Sequence, residues 1–392
     1  MSFPFQLPVF ADGVTSCNEI AGEDSDSDVC GEKRIIDNPE ILLSFKKNSL
    51  LNGANTLLAP TAGATHQRLE DIGFDDDFIE INEKITSITA DMAGDNVPVG
   101  GCVVPSTLFV PPYGKSTFEE VYLIYLEKIT ILKDSGADFI LLQEQNNLCD
   151  MRAGVLAAKS VGMPVFVIMN VDEDGMTKSG TDFIAALITL QAMGADSFGI
   201  YCTDGIDAQI HLINRAFFHA NIPLISCFES DKCSKEQLIA FAENGASIFI
   251  DKSSWRKREY IDILSKCKVQ FDEKSEKDNY AATIDCEAFF LPDILEPSAP
   301  IHCDYDMPDE IIGLDNESIN AVHIFLNSTD DSALLVENAT MSRLPFLIHT
   351  DDIVALEAAL RYYQGRLIVD SRCDIDKNEL KQLSQKYGAI IY

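Results

Sequence analysis

Three cysteines of the 392-residue chain stand where an apolar run gives way to a polar turn. They are Cys102 in "VPVGGCVVP", Cys202 in "FGIYCTDG" and Cys227 in "IPLISCFES". A cysteine so placed can be a thiolate that binds metal or attacks an electrophile, or a small residue closing a strand. Three thiolates converging on one mouth could hold a zinc ion with a fourth position left open. The other run ends carry Asp12, Thr61, Gln143, Glu144, Asn170 and Lys252. These types suit recognition of a small polar ligand, and a buried Lys252 could act as a base or an ammonium anchor. No C-x-x-C pair occurs among the eleven cysteines, and the six histidines show no ligand spacing. "YGKST" (113–117) lacks the glycine that a phosphate loop needs, Phe109 holding its place, and reads as a plain helix start. Arg256, Lys257 and Arg258, beside Trp255, could grip an anion at a helix start or form a solvated turn.

The elements that must position these residues recur. Eight apolar runs fall at 7–13, 54–60, 97–105, 138–144, 164–171, 197–202, 222–227 and 247–252, with helical periodicity between them. Continuous rather than alternating hydrophobicity suits parallel strands covered on both faces. In "STFEEVYLIYLEKITILKDSG", Ser116 and Glu119 have the spacing of a capping box, and Gly136 stands where a helix ends. Eight strand–helix units over roughly 250 residues predict an α/β fold, a (β/α)8 barrel over residues 1–270. An open doubly wound sheet is the alternative. In a barrel, the strand-end residues named above share one mouth.

The acidic stretch 21–33 reads as a surface loop, and "DEKSEKD" (272–278) as a boundary. Beyond it, four apolar runs ("AVHIFL", "PFLIHT", "RLIVDS", "AIIY") predict a smaller α/β domain over 286–392 with an open parallel sheet. Hydrophobic residues at 46% and charged ones at 24% are the profile of a globular protein. The net charge of −33 argues against nucleic acid and anionic membranes as partners. No apolar run reaches the roughly 18 residues of a membrane span. The start lacks a secretory pattern, so the cysteines read as reduced thiols of the cytoplasm.

The segment Leu148 to Cys202, with "LPVFADG", "NGANTLLAPTAGAT" and "GGCVVPS" before it, resembles the homocysteine S-methyltransferase family, including the first module of cobalamin-dependent methionine synthases. The resemblance covers about residues 7–265. It implies a barrel that transfers a methyl group to a thiol, with zinc held by one cysteine after strand six and two adjacent cysteines after strand eight. Zinc would keep the substrate thiol ionised, and the thiolate is the nucleophile. Cys202 matches the first ligand, with Tyr201 where the family has asparagine. The run expected to carry the other two reads Ile250, Asp251, Lys252, Ser253, Ser254. Lysine and serine are not soft ligands, so the resemblance implies zinc while the residues argue against it. The family's substrate-binding Glu-Thr reads Gln143-Glu144, which puts Gln143 in the acidic position and Glu144 on the opposite face. A slip of one residue would restore the carboxylate. The loop after strand seven is replaced by "CFESDKC". Residues 345–371 resemble a fragment of a pterin-binding domain, too little for a folate site, and no cobalamin module is expected.

Three functions follow. The chain is a methyltransferase acting on a small thiol or amino-acid-like substrate through Asp12, Thr61, Gln143, Glu144 and Asn170, served by a separate corrinoid or methyl-donor protein. Or it is a pseudoenzyme that kept the barrel as a binding or assembly module. Or its site is reassigned to Cys102, Cys202, Cys227 or Lys252.

Overall fold

A computed structural model of the protein describes residues 4–23, 30–111, 114–253, 258–268, 280–314 and 317–392. The centre of the acidic stretch (24–29), the charged boundary 272–278, and Trp255, Arg256 and Lys257 lie outside the described residues.

Each of the eight apolar runs forms a strand. They are β1 (Val9–Asp12), β2 (Leu57–Ala59), β3 (Val99–Val103), β4 (Phe139–Gln145), β5 (Val165–Val171), β6 (Ser197–Cys202), β7 (Leu224–Phe228) and β8 (Ala246–Asp251). All pair in parallel in the order β1-β8-β7-β6-β5-β4-β3-β2, and a bridge between Ala11 and Thr56 brings β1 to β2. The sheet is thus a nearly closed barrel inside a layer of helices.

Both strand faces are apolar because each meets a different layer. Val9, Ala11, Cys102, Leu141, Ile168, Ile225, Cys227 and Ile250 pack inside the barrel. Phe10, Ile140, Leu142, Val167, Ile200 and Cys202 pack outward against the helices. Successive side chains alternate between the layers, so the parity of each position decides where its chemistry points.

Helix Phe118–Asp134 starts one residue later than its sequence pattern suggested. Thr117 is the N-cap, and it exchanges the capping-box bonds with Glu120 rather than Ser116 with Glu119. That frees Glu119 for another partner. In helix Phe183–Ala192, residues Phe183 to Leu190 are all buried. An apolar circumference of this kind needs cover on its outer side as well as from the sheet. A hairpin of β9 (Ala281–Ile284) and β10 (Glu287–Phe290) supplies it, Thr189 Oγ1 lying 2.6 Å from Thr283 Oγ1.

The C-terminal sheet has five parallel strands where four apolar runs were legible. They are β11 (Ile301–His302), β12 (Val322–Phe325), β13 (Phe346–His349), β14 (Ile368–Val369) and β15 (Ile390–Ile391), in that spatial order. β11 and the hairpin escaped notice for different reasons. The first has two residues, and the second is only half covered, so neither makes a continuous apolar run. Among the described residues, no helix is long and apolar enough to cross a membrane.

Candidate functional site

The chain after β1 passes close over the end of β8. Gly13 N–H donates to the Asp251 carbonyl at 2.7 Å, and a Cβ on Gly13 would stand 2.7 Å from that backbone. This close approach shapes one wall of the barrel mouth. Leu141, Ile168 and Ile250 form an apolar floor there, and Thr15, Gln143, Glu144, Asn170, Tyr201, Cys227 and Lys252 form a polar rim. The cavity between them is small, about 20 Å3, so a ligand larger than a water enters by displacing rim side chains.

Two adjacent residues of β4 reach this rim, Gln143 by alternation and Glu144 because the strand bulges. Pairing with β5 slips between Leu142 and Gln145, and Glu144 adopts a left-handed φ of 58°. Strict alternation would send Glu144 to the helix layer with Leu142. The bulge turns it into the mouth beside Gln143, the slip rather than the opposite-face alternative. Gln143 donates to Thr15 Oγ1 at 2.8 Å, and Gln145 donates to the Gln143 carbonyl, which pins the bulge from below. Glu144 Oε1 lies 3.7 Å from Lys252 Nζ.

Lys252 stands over the Tyr201 ring at 4.6 Å. Burial disfavours its charge, but its pKa lies above the ordinary lysine value, through Cys227 and Tyr201 where these are ionised and through the Glu144 and Glu229 carboxylates. Of the two roles expected of Lys252, base or ammonium anchor, these surroundings suit the anchor.

The three cysteines do not converge. Cys102 and Cys227 face the barrel interior, and Cys202 packs on the helix side of β6, one position past the mouth-facing Tyr201. Alternation along one strand makes the two orientations exclusive. Burial raises the thiols of Cys102 and Cys227 to about 12. Burial also raises Cys202, against N–H groups of Asp204 and Gly205 that favour its charge. All three are thiols rather than thiolates at neutral pH.

Asp12 and Thr61 stand at strand ends but outside the rim. Asp12 shares the outward parity of Phe10, and Lys46 Nζ meets its Oδ1 at 3.0 Å, with the Leu58 N–H 3.2 Å away. Burial raises the Asp12 pKa against the pull of Lys46. Thr61 Oγ1 donates to the Cys102 carbonyl and accepts from its N–H, stitching β2 to β3. Thr15 and Tyr201 are the rim residues that strand-end reasoning passed over. Parity gave the signal for Tyr201, since it precedes an outward cysteine; nothing in the sequence marked Thr15.

A model of the homocysteine S-methyltransferase family matches residues 13–263. The chain belongs to that family. Methionine synthases of Mycobacterium tuberculosis and Mycobacterium leprae are each 25% identical to this family member over 224 residues, 54% of this chain. Those residues make up 18% and 17% of the two relatives, so the chain spans under a fifth of their length. The homocysteine methyltransferase MmuM of Escherichia coli shares the fold. Its metallated form aligns with a TM-score of 0.56 at 15% identity, covering 66% of this chain and 96% of that one. Its oxidised form gives 0.55 at 15% identity, covering 65% and 94%.

A family zinc does not fit the mouth of this homocysteine S-methyltransferase relative. Where the resemblance puts the paired cysteines stand Lys252, an ammonium, and Ser253, whose hydroxyl donates to Asp251 Oδ1 at 2.7 Å. Cys202 faces away. Among the described residues, the group of His, Cys, Asp or Glu side chains close enough to share an ion is His323, His349 and Asp370, in the C-terminal sheet.

Proposed function

We propose that the barrel mouth binds a homocysteine-like amino acid without zinc-dependent methyl transfer, the chain being a catalytically degenerate member of its family. The observation that carries this reading is the Lys252–Glu144 pair, 3.7 Å apart in the mouth, with Cys202 turned to the helices. An amino acid is a zwitterion. Its carboxylate can take the Lys252 ammonium and its ammonium the Glu144 carboxylate, so two mutually compensated charges become four. Tyr201 and the apolar floor offer a surface to the side chain, and Gln143 and Asn170 offer amides. A reducing compartment, the cytoplasm, suits eleven cysteines that are all free thiols.

Isothermal titration with homocysteine and methionine tests this, with metal content measured on the same sample. Saturable binding is expected, weakened at least tenfold by Lys252→Ala and by Glu144→Gln, with no metal bound through cysteine. Stoichiometric zinc lost on Cys202→Ala overturns the degenerate-site reading. Absence of binding by any amino acid overturns the ligand.

Family membership favours a second reading, transfer of a methyl group to a thiol from a separate corrinoid or other methyl-donor protein. The thiol sulfur would bond the methyl carbon as the donor–carbon bond breaks, and the thiol proton would leave to solvent. The Lys252 ammonium is already protonated and cannot take that proton, but a cation beside the sulfur lowers its pKa. Single-turnover methylation that rises with pH and falls at least a hundredfold in Lys252→Ala supports this route. Equal rates in the two proteins exclude it.

A further inference from the structure

The C-terminal sheet carries a second polar cluster, far along the chain from the barrel residues. Its strands β12, β13 and β14 lie side by side, with Phe325 level with His349 and Ile348 level with Val369. Asp370 extends β14 by one residue, its N–H donating to the Ile348 carbonyl at 2.9 Å. His323 shares the parity of Phe325. His323, His349 and Asp370 therefore stand on one face, His349 and Asp370 at the strand ends where parallel sheets bind ligands and His323 two positions before the end of β12.

One carboxylate oxygen faces both imidazoles. Asp370 Oδ2 is 3.1 Å from His349 Nδ1 and 3.9 Å from His323 Nε2, and all three ligand atoms lie within 4.8 Å of one another. Ligands on one zinc-sized ion, at about 2.0–2.1 Å from it, stand a little over 3 Å apart. Closure by up to about 1.5 Å at the widest pair completes the set.

His323 points to an occupant. Its side chain is 92% buried, its exposure being 8%, and its Nε2 has no hydrogen-bond partner. A buried nitrogen without a partner is an anomaly that a ligand resolves. His349 has the arrangement of a metal-bound imidazole, since Nδ1 faces the cluster while Nε2 lies 3.7 Å from Asp351 Oδ1 on the outer side. An outer carboxylate is the usual partner of a ligating histidine, and here it stands just beyond hydrogen-bond distance. Arg372 is the resident rival. Its Nε lies 2.9 Å from Asp370 Oδ1 and its Nη2 lies 2.8 Å from Oδ2. That side chain is 74% exposed, so it can leave to solvent when a cation arrives.

We propose that His323, His349 and Asp370 bind one divalent transition-metal ion of the zinc, cobalt or nickel class. Two imidazoles and a carboxylate leave positions open for water or a ligand. This site is independent of the barrel mouth and of what the mouth binds.

The experiment uses the full chain, stripped with chelator and titrated with zinc and then cobalt chloride. One ion per chain is expected, with cobalt giving d–d bands and no thiolate charge-transfer band. Affinity should fall at least tenfold in His323→Gln and in Asp370→Asn. It should rise in Arg372→Ala, which frees the carboxylate, and stay unchanged in Cys202→Ala. The rise in Arg372→Ala is the readout that survives misfolding of a ligand variant. Absence of stoichiometric binding, a thiolate band, or equal affinity in wild type and Arg372→Ala overturns the site.

Discussion

At the scale of single residues, chemistry here depends on which way a side chain points rather than on its type. The strand-end positions of Cys202, Asp12 and Lys252 were all legible as sequence. Their faces were not, because parity is fixed only once the register of each strand against its neighbours is known. Lys252 follows Ile250 into the mouth, and Asp12 follows Phe10 outward to Lys46. Two consequences are measurable. In native protein at pH 7, iodoacetamide should label the exposed Cys286 well before Cys202 or Cys227, as peptide mass spectrometry reads it. Labelling of Cys227 should stay low from pH 6 to about pH 9, because its thiol is pushed up to about 12. Rapid labelling of Cys202 at neutral pH would show a thiolate and restore a metal or nucleophilic role. Asp12→Asn should destabilise the fold by about 3–5 kcal/mol, since it leaves the Lys46 ammonium buried without its counter-charge. Ligand binding in the mouth should survive in the folded fraction of that variant.

At the scale of elements, the eight barrel strands were legible because a strand buried on both faces must be apolar throughout, and few other elements combine that with so short a length. What sequence pattern misses is irregularity. The bulge in β4 has no compositional mark, yet it turns Glu144 from the helix layer into the rim and so supplies the acidic half of the candidate ligand pair. Glu144 is one of two non-glycine residues with positive φ among the described residues, the other being Thr107. A left-handed conformation costs an L-residue about 1–2 kcal/mol, which glycine does not incur. Glu144→Gly should therefore leave the urea midpoint unchanged or raise stability by up to about 1 kcal/mol, while abolishing amino-acid binding. A variant that gains stability as it loses ligand would mark the bulge as strain held for function. A clear loss of stability would instead make the Lys252–Glu144 pair a structural contact.

At the scale of the molecule, the C-terminal unit is fastened to the barrel by charge as well as by packing. Arg152, buried on the barrel helix Leu148–Ser160, donates to the carbonyls of Leu360 at 2.7 Å and Arg361 at 3.1 Å. These belong to the last turn of helix Ile353–Tyr362, so the guanidinium meets the negative end of that helix and serves as its cap. Burial draws its pKa down to about 10, which leaves it charged at neutral pH. Arg361 reaches back to Glu119, the residue that the shifted capping box leaves free. Its Nη2 lies 2.9 Å from Glu119 Oε2, and this bond holds the Glu119 carboxyl below its ordinary value of 4.5. A carboxyl with a depressed folded pKa contributes stability that is present above about pH 4.5 and lost as pH falls through the folded value. Docking should accordingly weaken below pH 4.5, visible as one thermal transition at pH 7 separating into two under acid. Glu119→Gln should remove that acid dependence. Arg152→Met, which strips two carbonyls of their donor, should loosen the unit by about 2 kcal/mol at every pH at which the arginine is charged. If both variants unfold in a single transition indistinguishable from wild type, the polar fastening is incidental and the apolar interface around Tyr362 and Phe118 holds the two units together.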